Sequence, residues 1–311
     1  MGWISNAIAL SAAFAATASA FPHSFHSRNA PSYYNMSYPG QKGRDYDYTS
    51  FDQNQTRRAE AVIEMFRFAW NGYYTYAFPN DDLKPVNNSF GNSRNGWGAT
   101  AIDALDTAIL MGQVDIVNQI LDFVPTVDFT KTGNGVGASL SVSLFETNIR
   151  YIGGMLSSYD LLKGPFAHLG IAEEKVDALL KQSVVIAEVL KFAFDTPSGI
   201  PVNNVFINNQ TFAPRYQTAD GSWSAGLAEM GTLVLEWQHL SDLTGNPEYG
   251  QLAQKAEDYF LKPNAEVWPG LTGSNFSTAT GDIVDAYGGW TSGNDSAYEV
   301  IYSLCTAYEA Y

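Results

Sequence analysis

Apolar residues recur at helical spacing along most of this chain. From Arg57 to Ala77, the residues Ala61, Met65, Phe66, Ala69, Trp70 and Tyr73 share one broad face. The same period predicts helices over Ala99–Met111, Val114–Phe123, Leu144–Leu162, Glu173–Phe192, Gly226–Leu243, Tyr249–Leu261 and Asp295–Ala310. No run alternates strictly with period two, so strands are minor. Residues 21–55 are rich in Ser, Tyr, Asn and Gly without a period, and read as an extended or disordered leader. The connections differ in length. Gly112-Gln113 and Thr244-Gly245-Asn246-Pro247 are tight, whereas 78–98, 194–222 and 263–285 are long and rich in Asn, Gly and Pro. Helical hairpins with short turns on one side and long loops on the other predict an all-α, toroid-like domain over residues 56–311. Its long loops can build a site on one face. Repeated sequence register, the mark of a solenoid, is absent.

Composition narrows the partners. The chain has 311 residues, 45% of them hydrophobic and 14% aromatic, enough for a large core. Its net charge of −15 repels phosphate backbones and argues against nucleic acid. Acidity with many Tyr, Trp and Asn fits a neutral, hydroxyl-rich ligand, and equally fits plain solubility. Residues 1–20 have the form of a secretory signal. A short apolar run, Ala7 to Ala18, precedes the small-x-small site Ala18-Ser19-Ala20. No other stretch is long and apolar enough for a membrane span. Asn35, Asn54, Asn87, Asn209, Asn275 and Asn294 each open an Asn-x-Ser/Thr triplet, consistent with the secretory pathway and a secreted product. Cys305 is the only cysteine, and a lone thiol in a secreted chain points to a pairing partner outside this sequence.

Paired carboxylates carry the candidate chemistry. Glu146 and Arg150 lie one helical turn apart. They are either a surface ion pair, worth a few tenths of a kcal/mol, or a half-buried acid with its positioner, since Val142, Phe145, Ile149 and Ile152 around them are apolar. Asp295 and Glu299 repeat the spacing at the start of the last helix, where an acidic residue also simply complements the macrodipole. Glu229 and Glu236 are seven apart, on one face of a mostly apolar segment. They are either pocket-lining carboxylates or satisfied core residues. Asp103 and Asp106 read as structural. His23, His26, His168 and His239 lack metal-ligand spacing, so no metal site is expected from histidine. No phosphate-binding glycine loop or serine-hydrolase elbow is present.

Five segments, in order, carry a family resemblance. They are Phe68-Ala69-Trp70 with Tyr73 and Asp82-Leu83-Lys84-Pro85; Asn95-Gly96-Trp97-Gly98-Ala99-Thr100 with Asp103-Ala104-Leu105-Asp106-Thr107; Phe145-Glu146-Thr147-Asn148-Ile149-Arg150-Tyr151-Ile152-Gly153-Gly154; Leu235-Glu236-Trp237 with Leu240-Ser241-Asp242-Leu243-Thr244-Gly245; and Asp295-Ser296-Ala297-Tyr298-Glu299. Together they resemble the class I α-1,2-mannosidases of the secreted fungal type, glycoside hydrolase family 47. The resemblance implies hydrolysis of terminal α-1,2-linked mannose from high-mannose N-glycans, with inversion and calcium. It implies Glu146 and Asp295 as catalytic carboxylates, and Arg150, Glu229, Glu236 and Glu299 as substrate-binding groups. It also implies a partial α/α toroid, about four of the family's seven or so helical hairpins.

The same resemblance implies that the chain stops short of the family's machinery. The family's third carboxylate, in an Arg-Pro-Glu motif, and its calcium-binding Thr have no counterpart here. An inverting glycosidase needs an acid and a base on opposite faces of the sugar, and loss of one costs on the order of 10²–10⁴ in rate. The polypeptide is therefore expected to be inactive or nearly so. A catalytically silent glycan-binding protein and a nonfunctional fragment are the alternatives.

Overall fold

The structure is a computed structural model, and it describes residues 48–133, 140–213, 223–261, 271–285 and 288–301. The expected signal, Asn35, most of the leader and Cys305 lie outside the described residues. Helix α1, Tyr48–Tyr76, begins inside the stretch read as leader. It docks through Trp70 and Tyr73, both buried, and Trp70 Nε1 donates to Gln119 Oε1 at 2.8 Å.

The next predicted helix is bent at Ala104 into α2, Ala99–Asp103, and α3, Leu105–Leu110. Gly98 opens it in the left-handed region (φ 74°), and a Cβ there would lie 2.5 Å from the Phe123 ring. Only glycine meets both conditions. Helix α4, Val114–Phe123, has the predicted bounds and buries Ile116, Val117, Ile120 and Leu121. Its apolar i, i+1, i+4, i+5 spacing makes that one stripe.

A two-residue strand precedes α5, Leu144–Thr147, which runs through one π turn, Asn148–Ile152, into α6, Gly153–Lys163. Helix α7 is Glu173–Leu190. It buries Val176, Leu179, Ser183, Ile186, Ala187 and Leu190, and carries Glu173 and Glu174 in its first turn, where the dipole favours them. Next come α8, Leu227–Gly231, α9, Val234–Thr244, and α10, Glu248–Leu261. Residues 295–301 are helical and form α11.

Counting α2–α3 and α5–α6 each as one bent run gives nine α-helical stretches among the described residues, arranged as the expected all-α partial toroid. Helix α3 pairs with α4, α6 with α7, and α9 with α10, while α9 also meets α6 and α7. One apolar core runs from Trp70 to Val300; a smaller one joins Ile200, Leu227, Met230, Phe260, Phe276 and Ala297.

The strands are short, and they steer the site. Strands β1, Asp82–Lys84, and β2, Ser89–Gly91, form a hairpin. Strand β3, Val142–Ser143, pairs with β4, Asn204–Phe206, which pairs with β5, Thr211–Phe212. Strand β6, Ser224–Gly226, pairs with β7, Asn275–Ser277. β3 runs directly into the helix of Glu146, and β6 into the helix of Glu229. Pinning each strand therefore fixes where a carboxylate emerges.

Candidate functional site

Glu146 enters in the first turn of α5. Ser143 caps that helix, its Oγ accepting from the Glu146 amide at 3.2 Å. Asn203 Oδ1 accepts from the Phe145 amide at 2.9 Å. The Glu146 carboxylate is gripped on both oxygens. Arg94 Nη2 donates to Oε1 at 2.9 Å, and Arg150 Nε donates to Oε2 at 2.7 Å. Arg150 also reaches Asp103 Oδ2 at 2.9 Å through Nη1. Arg94, Glu146, Arg150 and Asp103 thus alternate in sign. Their side chains are 26–36% exposed, so these contacts are neither bulk-solvated nor dry. Burial pushes the Asp103 carboxyl above its ordinary range, against the pull of Arg150.

The loop that delivers Arg94 is held by Asp81, which is fully buried. Its Oδ2 accepts from the amides of Arg94 (2.7 Å) and Gly96 (2.8 Å), and its Oδ1 from those of Gly98 (2.8 Å) and Ala99 (3.1 Å). The π turn meets that loop. Tyr151 OH donates to the Arg94 carbonyl at 3.0 Å, and the Tyr151 ring lies edge-on to Trp97 and Phe129. A π turn displaces the residues beyond it from the α-helical register, and such turns recur at functional sites.

Glu236 approaches the same turn from α9. Asn148 Nδ2 donates to its Oε2 at 2.8 Å. Gly153 leaves room for it, since a Cβ there would be 3.3 Å from Glu236 Oε1. The Glu236 residue keeps a partly exposed edge, but its carboxyl is packed round with protein; burial pushes it up to about 7, and the Asn148 bond only moderates this. Glu229 is tied to Glu146's helix through Asn203, whose Nδ2 donates to Glu229 Oε1 at 2.6 Å. Its other oxygen accepts from the Gly226 amide at 2.9 Å.

Glu146, Arg150, Glu229 and Glu236 are therefore brought together around Asn148 and Asn203. Asp295 and Glu299 lie on α11, both exposed. Asp295 accepts from the Ser296 amide at 2.9 Å, and its loop is anchored to α8 where the Gly293 carbonyl accepts from the Ala228 amide.

Two expectations are corrected. Glu229 and Glu236 do not share a helix face, because the chain breaks between Gly231 and Val234 and each belongs to a separate helix. Gly231 packs so tightly that a Cβ would lie 2.9 Å from Ala297 Cβ and from the Phe260 ring. Asn294 is not an open glycosylation acceptor in the folded chain. It is fully buried, and its Nδ2 donates to Ser274 Oγ and the Gly289 carbonyl. The Asn275 amide is likewise engaged, with Asp285, whereas Asn54, Asn87 and Asn209 are exposed.

Arg94, Asp81, Asn148 and Asn203 escaped sequence reasoning. Three of them had a local signal: Asn148 lies inside the segment Phe145 to Gly154, Arg94 directly before Asn95-Gly96-Trp97, and Asp81 directly before Asp82-Leu83-Lys84-Pro85. Among the described residues no group of three or more His, Cys, Asp or Glu converges as a metal site. No helix among the described residues is long and apolar enough to cross a membrane.

Comparison with known proteins adds a lineage. The model of the family described as "Glycosyl hydrolase family 47" matches residues 65–307. The chain is 54% identical over 256 residues to the "Probable mannosyl-oligosaccharide alpha-1,2-mannosidase 1B" of Aspergillus clavatus, covering 81% of this chain and 48% of that protein. It is 52% identical over 258 residues to the "Mannosyl-oligosaccharide alpha-1,2-mannosidase" of Coccidioides posadasii, covering 82% and 47%. The solved structure of the alpha-1,2-mannosidase from Trichoderma reesei superposes with a TM-score of 0.74 at 50% identity, over 80% of this chain and 50% of that one. The chain spans about half the length of the curated relatives it matches.

Proposed function

Because the chain belongs to glycosyl hydrolase family 47, we propose that its site serves hydrolysis of terminal α-1,2-linked mannose of high-mannose N-glycans, with inversion. The observation that supports this best is Glu146, a half-covered carboxylate held on both oxygens by Arg94 and Arg150 beside a π turn. In this reading Glu146 acts as the acid only after substrate draws one of its two guanidinium partners away and the freed oxygen takes up a proton, which it then passes to the leaving oxygen; Asp295 is the second carboxylate. Arg150, bridging Glu146 and Asp103, orients a sugar hydroxyl or the attacking water. Glu229, Glu236 and Glu299 bind substrate hydroxyls. Glu236, with its carboxyl near 7, donates a hydrogen bond when protonated.

Turnover by the 311-residue polypeptide is slow in this proposal. Glu146 is part-exposed and Asp295 is exposed, so water screens the charges that would stabilise the transition state. We expect weak calcium binding by this chain; micromolar affinity, lost on mutating pocket carboxylates, would contradict this. The proposed setting is the secretory pathway, with Asn54, Asn87 and Asn209 as the open N-glycan acceptors and secretion following removal of residues 1–20.

A second reading, glycan binding without cleavage, draws on the same grip: both Glu146 oxygens are already committed. The test supplies purified chain with α-1,2-mannobiose and calcium. The first reading expects measurable mannose release that falls on the order of 10²–10⁴-fold in Glu146→Gln. Saturable binding without release selects the second. Neither binding nor release would overturn both.

A further inference from the structure

Asn95 is a buried residue whose side-chain oxygen has no hydrogen-bond partner among the described residues. Its backbone is left-handed, with φ 69°. Glycine meets that conformation without strain, and asparagine tolerates it. Asparagine usually holds such a place by bonding its carboxamide to nearby backbone. Here Asn95 is 5% exposed, and its Oδ1 is buried with no hydrogen-bond partner among the described residues. The loop does not need that bond, because Asp81 already fixes the amides on either side, Arg94 and Gly96.

Asn95 also lines a cavity. A space of about 150 Å³ is lined by Ser93, Arg94, Asn95, Ser143, Glu146 and Asn204, among others. It is smaller than the roughly 300–1,000 Å³ that encloses a drug-sized ligand, so a single ring is the scale of its occupant. Arg94 Nε, on the same wall, is also buried without a partner. Hydroxyls, carboxamides and one guanidinium-clamped carboxylate surround the space. An apolar ligand would strand these groups, and an anion would meet Glu146. A neutral polyol offers a donor and an acceptor at every hydroxyl.

We propose that the Asn95 carboxamide is a hydroxyl receptor for the sugar ring seated against Glu146, and so fixes which way that ring faces. The assignment rests on the mannosidase reading above and adds to it a binding residue outside the carboxylate set. Asn95→Gly is the informative variant, since it removes the carboxamide while suiting the left-handed backbone. Its thermal unfolding is expected to equal or exceed that of the parent chain. Its affinity for α-1,2-mannobiose, followed by NMR titration, is expected to fall about tenfold or more. A series of monodeoxy mannobioses adds a readout that mere structural damage would not produce. One deoxy sugar should bind the parent chain about tenfold less well than mannobiose, yet bind Asn95→Gly as well as mannobiose does. Asn95→Asp, which keeps shape and acceptor, should stay within a few-fold of the parent. Unchanged binding by Asn95→Gly, or a full set of hydroxyl penalties surviving in it, overturns the inference and leaves the mannosidase reading intact. A parent chain that binds no mannobiose overturns both.

Discussion

Glu236 and Glu257 are the carboxyl groups that burial displaces furthest, each pushed from 4.5 up to about 7. Folding then binds protons that the unfolded chain releases. Their contribution is fully present below about pH 4.5 and is lost as pH rises toward 7, at about 1.4 kcal/mol per pH unit for each group while both forms differ. His239 acts in the same direction. Burial lowers its pKa, but the Asp160 carboxylate, 2.7 Å from Nε2, outweighs that and raises it. Urea unfolding should therefore show greater stability at pH 5 than at pH 8, with Glu236→Gln flattening the profile. A profile that rises over that interval would contradict the assignment. Glu146 and Arg150 were legible in sequence because a helix places i and i+4 side by side. Glu229 and Glu236 were also legible as candidates, but the side chains that hold the carboxylates were not, because those partners are far apart in the chain. Arg94 meets Glu146 across 52 residues, and Asn148 meets Glu236 across 88. Neither arginine nor asparagine marks such a partner by spacing.

Among the elements, α4 was read to the residue because its apolar stripe is uninterrupted. The bends were not legible. Ala104 and the π turn carry ordinary helix-compatible residues, and the α8–α9 break depends on Gly231 meeting Ala297 and Phe260, which lie remote in sequence. That contact also seats α11, the helix of Asp295. Gly231→Val should destabilise the fold by roughly 1–3 kcal/mol through overpacking and loosen α11 first. Limited proteolysis near residue 293 would report this. Cleavage unchanged from the parent chain would show that α11 is held by other contacts.

At the scale of the molecule, charge and one apolar stripe oppose each other. Val62, Met65 and Phe68 on α1 are 51%, 71% and 83% exposed, while the whole chain carries −15. Repulsion keeps copies apart at low ionic strength, and salt screens it. Sedimentation should therefore show self-association growing with salt. Met65→Glu with Phe68→Lys should suppress it while changing stability by no more than about 0.5 kcal/mol, as surface changes do. Association that persists unchanged would place the contact elsewhere.

The Asp81 clamp has a consequence in time. Amides in a loop and at a helix start ordinarily lack a ladder partner and exchange their hydrogens with water quickly. Those of Arg94, Gly96, Gly98 and Ala99 all end on one carboxylate. They become exchangeable only when Asp81 withdraws, so the four share a single opening event. Their deuterium uptake should be slow, should proceed at matched rates, and should accelerate together in Asp81→Ala while the amides inside α4 keep their pace.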